Sequence, residues 1–392
     1  MSIQKIAVFA PLENQYGVVS TFAAEFSQAL RDQGVEVDWL KADYDDPGSF
    51  LWALTQDPPD LTLSFNGVLP DEQGRFLCDM LKLPHFAFLV DPPQHFFPLI
   101  NSRYNIIGCI DFSFCQVFEN TGFNQTLFLP HATGKQVEPS KQPPLHDVLM
   151  LNTLIDFQEI ESRWRATYPK TIYKALMEAA ELTLSVRPLT YLEAFSQSYS
   201  AALQSDSSLD PTTLNYVEFL DELCAYVGGR CRVELLKSIE GVNVDVYGRR
   251  TGSLDWFNYF KDNANIRLHD PIEYPEAIER IKRSKILLNS VPEIKYGGHE
   301  RIFTGLAAGS AVLTLDTPYI ADQFKDRESI LLYDRSRPKE LNQVLKEYLK
   351  DDVKRAALAK KGRELVLQHH TWDARAKTFL EAIPKLLEKV YE

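Results

Sequence analysis

The residues best suited to chemistry lie between residues 289 and 324, in the sequence NSVPEIKYGGHERIFTGLAAGSAVLTLDTPYIADQF. The pattern predicts a strand that ends at Asn289 and, after a loop, a helix with Arg301 in its first turn. The loop contains Gly297 and Gly298. A helix N-terminus carries unpaired N–H groups and a partial positive charge, and glycines allow the backbone to come close to a phosphate. Because Arg301 can add a bidentate contact, the segment predicts a binding site for a phosphate-bearing ligand.

Other cations lie near this segment in the sequence or in a comparable loop. Lys295 precedes Arg301, and Arg249 is followed by a second arginine, so positive charge can be concentrated where an anionic ligand binds. The alternative is that these cations form solvated surface patches. For Arg301, the spacing alone favours a surface salt bridge to Glu300 or Glu293.

A second group of reactive side chains lies in the N-terminal half. Asp91 and His95 follow the apolar run HFAFLVD, which predicts a strand. Open α/β sheets bind ligands beyond the carboxyl ends of their strands, and either side chain can act as a general base. The alternative is that Asp91 caps the following turn and that His95 packs among Phe96 and Phe97.

These residues need α/β elements to position them, and the first part of the chain supplies the pattern. An apolar run, a polar turn and a helix that ends near Gly34 form a β-α-β start. Further short apolar runs predict a parallel sheet that is covered on both faces. The predicted strands cover residues 5–12, 35–42, 60–66, 85–91, 105–111 and 125–131.

The rest of the chain predicts a second α/β domain. We assign residues 1–135 to an N-terminal Rossmann-like domain, 136–145 to a linker rich in proline, and 146–375 to a C-terminal domain. Long helical patterns at about 157–230 predict a helical insertion, after which the alternation of strand and helix returns. Residues 376–392 predict a C-terminal helix that packs back on the first domain, and Gly362 and Pro384 predict interruptions in the final helical stretch.

Length and composition limit the class of protein. The chain has 392 residues, enough for two domains, and 45% of them are hydrophobic, which suits a globular protein. The formal charge of −12 argues against non-specific binding to nucleic acid or to an anionic membrane. No signal peptide or membrane-length apolar run is found, and five cysteines without a C-x-x-C pair suit a reducing compartment. We therefore expect a soluble, cytoplasmic protein without a transmembrane segment.

The C-terminal half resembles group 1 glycosyltransferases, especially the CgeB-like branch. In that family a strand ending in Asn leads to a glycine loop, an Arg-containing helix, a small-residue turn and another strand, and a Phe and a Glu come before a further short strand. The matching residues here are Asn289, Gly297, Gly298, Arg301, Ala307, Ala308, Gly309, Phe324 and Glu328. The resemblance covers about residues 232–380 and implies the GT-B fold, an α/β architecture of two Rossmann-like domains with a cleft between them.

The resemblance also implies a function and roles for individual residues. The protein would move a sugar from a nucleotide-diphosphate-sugar to an unidentified glycan, protein or lipid-linked acceptor, with no metal and no other cofactor. Arg301, with Lys295 or Arg249, would hold the diphosphate, and Asp91 or His95 would act as the base. The remaining donor-site candidates are Gly17, Gly248, His269, Asp270, Tyr274, Asn289, Gly297, Gly298, His299, Glu300 and Thr304.

One departure from the family pattern keeps two other functions open. Many retaining members carry two glutamates eight positions apart, and Tyr296 and Thr304 occupy those positions here. The family's usual contacts to the donor sugar and ribose therefore do not transfer to this chain. The alternatives are a catalytically silent GT-B scaffold that binds a partner, and a nucleotide-sugar epimerase.

Overall fold

The computed structural model describes residues 3–11, 15–41, 49–185 and 189–391. The predicted strand ends at residues 12 and 42 lie outside the described residues. The chain divides into two compact units: Met1–Gln136 with Leu367–Glu392, and Val137–Val366. The division assigns residues 367–375 to the first unit, whereas the sequence placed them in the second domain.

The elements follow one another in the order that the apolar runs predict. The strands are β1 (Lys5–Phe9), β2 (Glu36–Leu40), β3 (Leu61–Phe65), β4 (His85–Leu89), β5 (Asn105–Cys109), β6 (Thr126–Phe128), β7 (His146–Leu151), β8 (Leu154–Ile155), β9 (Val244–Tyr247), β10 (Arg250–Thr251), β11 (Ile266–His269), β12 (Ser284–Asn289), β13 (Ala311–Leu315) and β14 (Leu331–Tyr333). The α-helices are α1 (Val18–Asp32), α2 (Ser49–Gln56), α3 (Leu77–Leu81), α4 (Phe112–Glu119), α5 (Phe157–Thr167), α6 (Lys170–Leu184), α7 (Tyr191–Ser205), α8 (Tyr216–Ser238), α9 (Trp256–Tyr259), α10 (Tyr274–Lys282), α11 (Glu300–Ala307), α12 (Pro318–Gln323), α13 (Pro338–Lys350), α14 (Asp352–His369) and α15 (Trp372–Tyr391).

The first unit is a six-stranded parallel sheet in the order β2-β1-β3-β4-β5-β6. Strands β3, β4 and β5 are buried at every position, as expected for a parallel sheet that is covered on both faces. Helix α15 completes this unit by packing on α1. Its Phe379 ring lies 5.6 Å from that of Phe26 and 4.8 Å from that of Phe86. The last helix of the chain therefore contributes to the core formed by the first strands.

The second unit is built on a six-stranded sheet in the order β11-β9-β7-β12-β13-β14, and every pair in it is parallel. Alternate residues of its strands enter two separate cores. Ile286 and Leu288 pack on one face with α8 and α13, and Leu287 packs on the other with α11. The predicted α/β class with two parallel sheets is confirmed. The strand order reverses between β7 and β12, where open α/β sheets form their ligand-binding crevice.

Helices α5 to α8 form the helical insertion between β8 and β9. The sequence placed its end at about residue 230, but α8 continues to Ser238. The adjacent glycines Gly228 and Gly229 lie inside this helix. A Cβ added at Gly229 would lie 2.8 Å from the Ile155 carbonyl oxygen. Gly229 is therefore needed for close packing of α8 on β8, and it does not end the helix.

The predicted interruptions at Gly362 and Pro384 are wrong. Gly362 lies inside α14, and Pro384 lies inside α15. A Cβ at Gly362 would approach the Ser329 carbonyl oxygen to 2.4 Å, so this glycine also serves close packing. The helices are separated instead at Asp351 and at residues 370–371.

The adjacent glycines of α8 provide a matched test of this packing. We expect Gly229→Ala to destabilise the protein by about 1–3 kcal/mol, because its Cβ would overlap backbone that cannot easily move. Gly228→Ala meets only the Arg232 guanidinium, at 3.4 Å, and should be neutral or stabilising by up to about 1 kcal/mol, since Ala favours helix over Gly. Urea denaturation followed by circular dichroism measures both changes. Equal midpoints for the two variants would contradict the close approach to Ile155.

Candidate functional site

The crevice of the second sheet is held by one buried arginine. Arg232, on α8, is 8% exposed. Its guanidinium donates to the carbonyl oxygen of Thr153 (3.1 Å), just beyond β7, and to that of Ser290 (3.2 Å), just beyond β12. It also pairs with Glu293 Oε1 at 3.1 Å. The helical insertion is thus fixed to the two strand ends where the strand order reverses.

Helix α11 begins at this crevice with an ordered group of three side chains. His299 is its N-cap residue. Its Nε2 accepts a hydrogen bond from Arg301 Nη2 at 2.9 Å, and its Nδ1 contacts the Glu300 carboxylate. Because a guanidinium can only donate, Nε2 is unprotonated and the proton lies on Nδ1, facing Glu300. In this tautomer Nδ1 cannot also accept from the Arg301 backbone N–H, which is 3.4 Å away.

Burial and nearby charges shift the pKa values of two of these side chains. Burial, with help from the Arg301 charge, lowers the pKa of His299, and burial lowers the pKa of Arg301 from its ordinary value. Among the described residues, Arg301 Nε and Glu293 Oε2 are buried and have no hydrogen-bond partner. Arg301 bonds to His299, and so the surface salt bridge that its spacing favoured is not formed. An unsatisfied donor on a buried guanidinium, in the first turn of a helix, suits a phosphate oxygen.

The two glycines before α11 have a packing role that the sequence did not reveal. Gly297 and Gly298 are both buried. A Cβ at Gly298 would lie 2.4 Å from the Phe303 ring and 3.3 Å from that of Tyr319. The absence of a side chain at Gly298 is therefore explained by these rings, whether or not a ligand approaches the backbone.

Other predicted donor-site residues have structural partners. Lys295 is buried, and its Nζ donates to the Thr183 carbonyl oxygen of α6 at 2.7 Å. Asn289 is buried and donates to Thr314 Oγ1 at 3.0 Å, while its Oδ1 has no partner among the described residues. Thr304 is buried within α11. The structure therefore directs Lys295 to the helical insertion and keeps Asn289 at the end of β12.

Arg250 joins the loops after β9 and β11 by hydrogen bonds. Gly248 lies so close to the β7 end that an added Cβ would be 2.2 Å from the Asn152 carbonyl oxygen. Arg249 is exposed. The next residue, Arg250, donates to the His269 carbonyl oxygen at 2.8 Å and to Asp270 Oδ1 at 2.6 Å. Arg250 therefore links the loops that follow β9 and β11.

His269 is oriented by a buried carboxylate. Its Nε2 lies 2.8 Å from Asp245 Oδ1, and its ring stacks on Tyr247 with 4.3 Å between the ring centroids. His146 Nδ1 lies 2.8 Å from the other oxygen of Asp245. Burial alone would raise the pKa of Asp245, but the hydrogen bonds from His146 and His269 hold it below the ordinary value. Asp245 therefore stays ionised and fixes His269. Tyr274, which begins α10, is near enough to Arg301 to affect its pKa.

The carboxyl edge of the first sheet holds the remaining predicted residues. Asp91 follows β4, is exposed, and accepts from Asn66 Nδ2 at 2.6 Å. His95 is also exposed, with its ring 6.3 Å from that of Phe96. Gly17 caps α1 in a left-handed conformation, with φ of 68°. Asp91 thus has a carboxylate whose direction is set by a neighbouring amide.

Comparisons with known proteins agree with this architecture. A family model described as "Glycosyl transferase-like" matches residues 231–381. Sucrose-phosphate synthase from Thermosynechococcus elongatus has a TM-score of 0.56 and 11% identity, over 98% of this chain and 99% of that chain. Anabaena HepE, in complex with UDP and glucose, has a TM-score of 0.54 and 10% identity, over 97% of this chain and 100% of that chain.

The chain has the GT-B fold. A protein of Aquifex aeolicus (strain VF5), described as uncharacterized, is 20% identical over 322 residues, which are 75% of this chain and 79% of that protein. Within the described residues, no helix has the length and apolar character needed to cross a membrane.

Sequence reasoning did not select Arg232 and Asp245, two residues that organise the candidate site of this GT-B protein. Asp245 gave a signal, since it is an acid within the apolar strand pattern VNVDVYG, and a buried charge needs a partner. Arg232 gave none, because its acceptors lie 58 to 79 residues away in the chain.

The tautomer of His299 can be tested directly. We expect long-range ¹H–¹⁵N spectra at about pH 7.5 to show a protonated Nδ1 and an unprotonated Nε2, and the ring to titrate below pH 6.5, because burial lowers the pKa of His299 from its ordinary value of 6.5. The signals are assigned by their loss in His299→Asn. A proton on Nε2, or a titration near pH 6.5, would show that Arg301 does not donate to this ring.

Proposed function

We propose that the protein is a glycosyltransferase of the CgeB-like branch, which moves a sugar from a nucleotide-diphosphate-sugar to a glycan, protein or lipid-linked acceptor. The observation that carries the proposal is the buried Arg301 guanidinium at the start of α11. Its Nε has no partner among the described residues, in the crevice where an open α/β sheet binds its ligand.

The charges around α11 suit a departing diphosphate. Arg232 lies close enough to Arg301 for its positive charge to lower the pKa of Arg301, and the charges of Glu300 and Glu293 oppose that effect. As the sugar leaves, negative charge grows on the diphosphate, and preorganised donors stabilise it at no cost of reorganisation. The arginines and the helix N-terminus supply this stabilisation, so the proposal requires no metal ion and no cofactor besides the nucleotide-sugar.

The comparisons guide the choice of donor. HepE, which shares the GT-B fold, is described in complex with UDP and glucose. We therefore take UDP-glucose as the first donor to test. The nucleotide base would lie toward the loops after β9 and β11, where Arg250 joins His269 to Asp270 and Arg249 lies exposed.

For the base we propose Asp91. A transferase that inverts the anomeric centre needs a side chain to accept the proton of the acceptor hydroxyl. The Asn66 side chain holds the Asp91 carboxylate at 2.6 Å and itself accepts from the Val90 and Asp91 backbone N–H groups. Asp91 is thus an oriented and accessible acceptor. His95 is the second candidate for the base, since its side chain is also exposed and it follows Asp91 closely in the chain.

A silent GT-B scaffold is the second candidate function, and one observation favours it. Thr304, at the position of a family glutamate, is buried within α11, and Tyr296 occupies the position of the other glutamate. Such a protein would bind the nucleotide without turnover. For either function we propose a cytoplasmic location, with which the five free thiols are compatible.

Nucleotide binding is tested by thermal shift. At a UDP concentration of about 100 times Kd, binding should stabilise the folded protein by about 2.7 kcal/mol and raise its Tm by about 5 °C or more. We expect Arg301→Gln to lose this response and Arg301→Lys to keep part of it. Arg165→Gln is the control, because Arg165 is an exposed residue of α5 paired only with near neighbours. If UDP, GDP, dTDP, ADP and CMP all leave the wild-type Tm unchanged, the donor site is wrong.

Turnover separates the two candidate functions. With UDP-glucose and a glycan acceptor mixture, the transferase should release UDP, and Asp91→Asn should lower kcat by about 100-fold or more, as expected for loss of a general base. Its thermal response to UDP should be unchanged. Glu72→Gln, an exposed carboxylate-to-amide change in the same unit, should retain full activity. If UDP raises the Tm but no UDP is formed from UDP-glucose, the scaffold function is favoured. Full activity in Asp91→Asn would rule out Asp91 as the base.

A further inference from the structure

A cavity of about 640 Å³ lies in the second unit, and the loop between β12 and α11 lines part of it through Pro292 and Lys295. The ends of β13 and β14 form one side, through Asp316, Thr317 and Arg335. The C-terminal end of α6, in the helical insertion, forms another side. The volume is that of a site for a small molecule. Because α6 belongs to the insertion, this wall is a product of the insertion and not of the two-sheet architecture.

The cations of the cavity are already compensated. Lys295 Nζ donates to the Thr183 carbonyl oxygen at 2.7 Å, and Arg335 Nη1 donates to that of Leu184 at 3.0 Å. Both carbonyls lie at the C-terminal end of α6, where a helix carries partial negative charge. Arg335 is also paired with Glu234. Arg335 is therefore ion-paired, and Lys295 is directed toward the negative end of α6.

One acidic side chain of the cavity has no cation paired with it among the described residues. Asp316 lines it, is exposed, and has no hydrogen bond or ion pair from its side chain among the described residues. Burial of part of its surface, together with the charges of Asp326 and Asp334, raises the pKa of Asp316. A phosphate or carboxylate placed here would meet Asp316, Asp334 and the negative end of α6. The unpaired Asp316 carboxylate thus disfavours an anion at the β13 side of the cavity.

The remaining groups favour hydroxyls and an apolar face. The Asp316 carboxylate can accept from two hydroxyl groups, and a guanidinium has five N–H donors, of which Arg335 uses only some. The Thr317 hydroxyl is buried and has no hydrogen-bond partner among the described residues. Leu184, Pro292 and Leu315 supply apolar surface. Carboxylate and guanidinium groups beside apolar walls match a ring with hydroxyls at its edge and C–H groups on its faces.

We propose that this cavity binds an uncharged sugar ring and rejects a sugar that bears a negative charge. The ring comes either from the donor or from the acceptor, and this choice rests on the proposed glycosyltransferase function. The binding of a free sugar does not depend on that function. In either case the helical insertion takes part in sugar selection through the end of α6.

Saturation-transfer NMR with the whole protein tests the cavity without any nucleotide. Glucose should bind to the wild type, and glucuronate, which differs by a carboxylate, should bind at least tenfold more weakly. Asp316→Ala should weaken glucose binding at least tenfold, and Asp316→Asn should narrow the difference between the two sugars. Asp322→Ala is the matched control, since Asp322 is exposed on α12 and does not line the cavity, and it should bind glucose like the wild type.

Displacement identifies the source of the ring. If UDP-glucose displaces glucose and UDP alone does not, the cavity holds the donor sugar; if glucose stays bound with UDP-glucose present, it holds an acceptor sugar. Absence of glucose binding, equal binding of glucose and glucuronate, or an unchanged affinity in Asp316→Ala would overturn the proposal. The thermal response to UDP is measured separately, so failure of the cavity and failure of the nucleotide site are distinguishable.

Discussion

The second unit depends on how the charge of Arg232 is buried. A guanidinium removed from water is costly unless its donors and its charge are satisfied. Here two carbonyl oxygens, of Thr153 and Ser290, and one carboxylate, of Glu293, supply that compensation. The two carbonyls belong to the strand ends that define the crevice. The helical insertion can therefore be buried at this place only when β7 and β12 already have their native spacing.

This constraint extends to both ends of the insertion. Helix α8 must approach β8 closely enough for Arg232 to reach the strand ends, and Gly229 permits that approach at Ile155. With α8 in place, α6 packs on it, and the end of α6 lies within reach of Lys295 and Arg335. Arg232 therefore joins the insertion to the crevice, and Lys295 and Arg335 join it to the cavity. The insertion is joined to the strand ends by polar contacts at each place.

Local patterns revealed the sheets and the start of α11, because apolar periodicity and a glycine loop before a helix act over a few residues. They did not reveal what the side chains contact. Arg232 meets acceptors that only the fold brings near, and Lys295 resembles a phosphate ligand in the sequence but is bound to α6. Gly362 was misread as a helix interruption for the same reason, and the packing roles of Gly229 and Gly298 were not visible in the sequence. In the sequence, a glycine required for close packing cannot be told from a glycine required for a turn or for ligand binding. Only the residues that surround it in the folded structure distinguish these roles.

The two ligand regions of the second unit differ in the group that lacks a partner among the described residues, and this difference bears on the missing glutamates. Around α11, a buried arginine keeps an unsatisfied donor, which favours an anion. At the cavity, Asp316 and the end of α6 favour neutral hydroxyl groups. A nucleotide-diphosphate-sugar has both parts, an anionic diphosphate and a neutral ring. On the proposed function, a carboxylate at the end of β13 offers the hydroxyl contacts that Tyr296 and Thr304 cannot make. An acid supplied by another strand is a chemical reason why a transferase could lose the two glutamates and keep its sugar site.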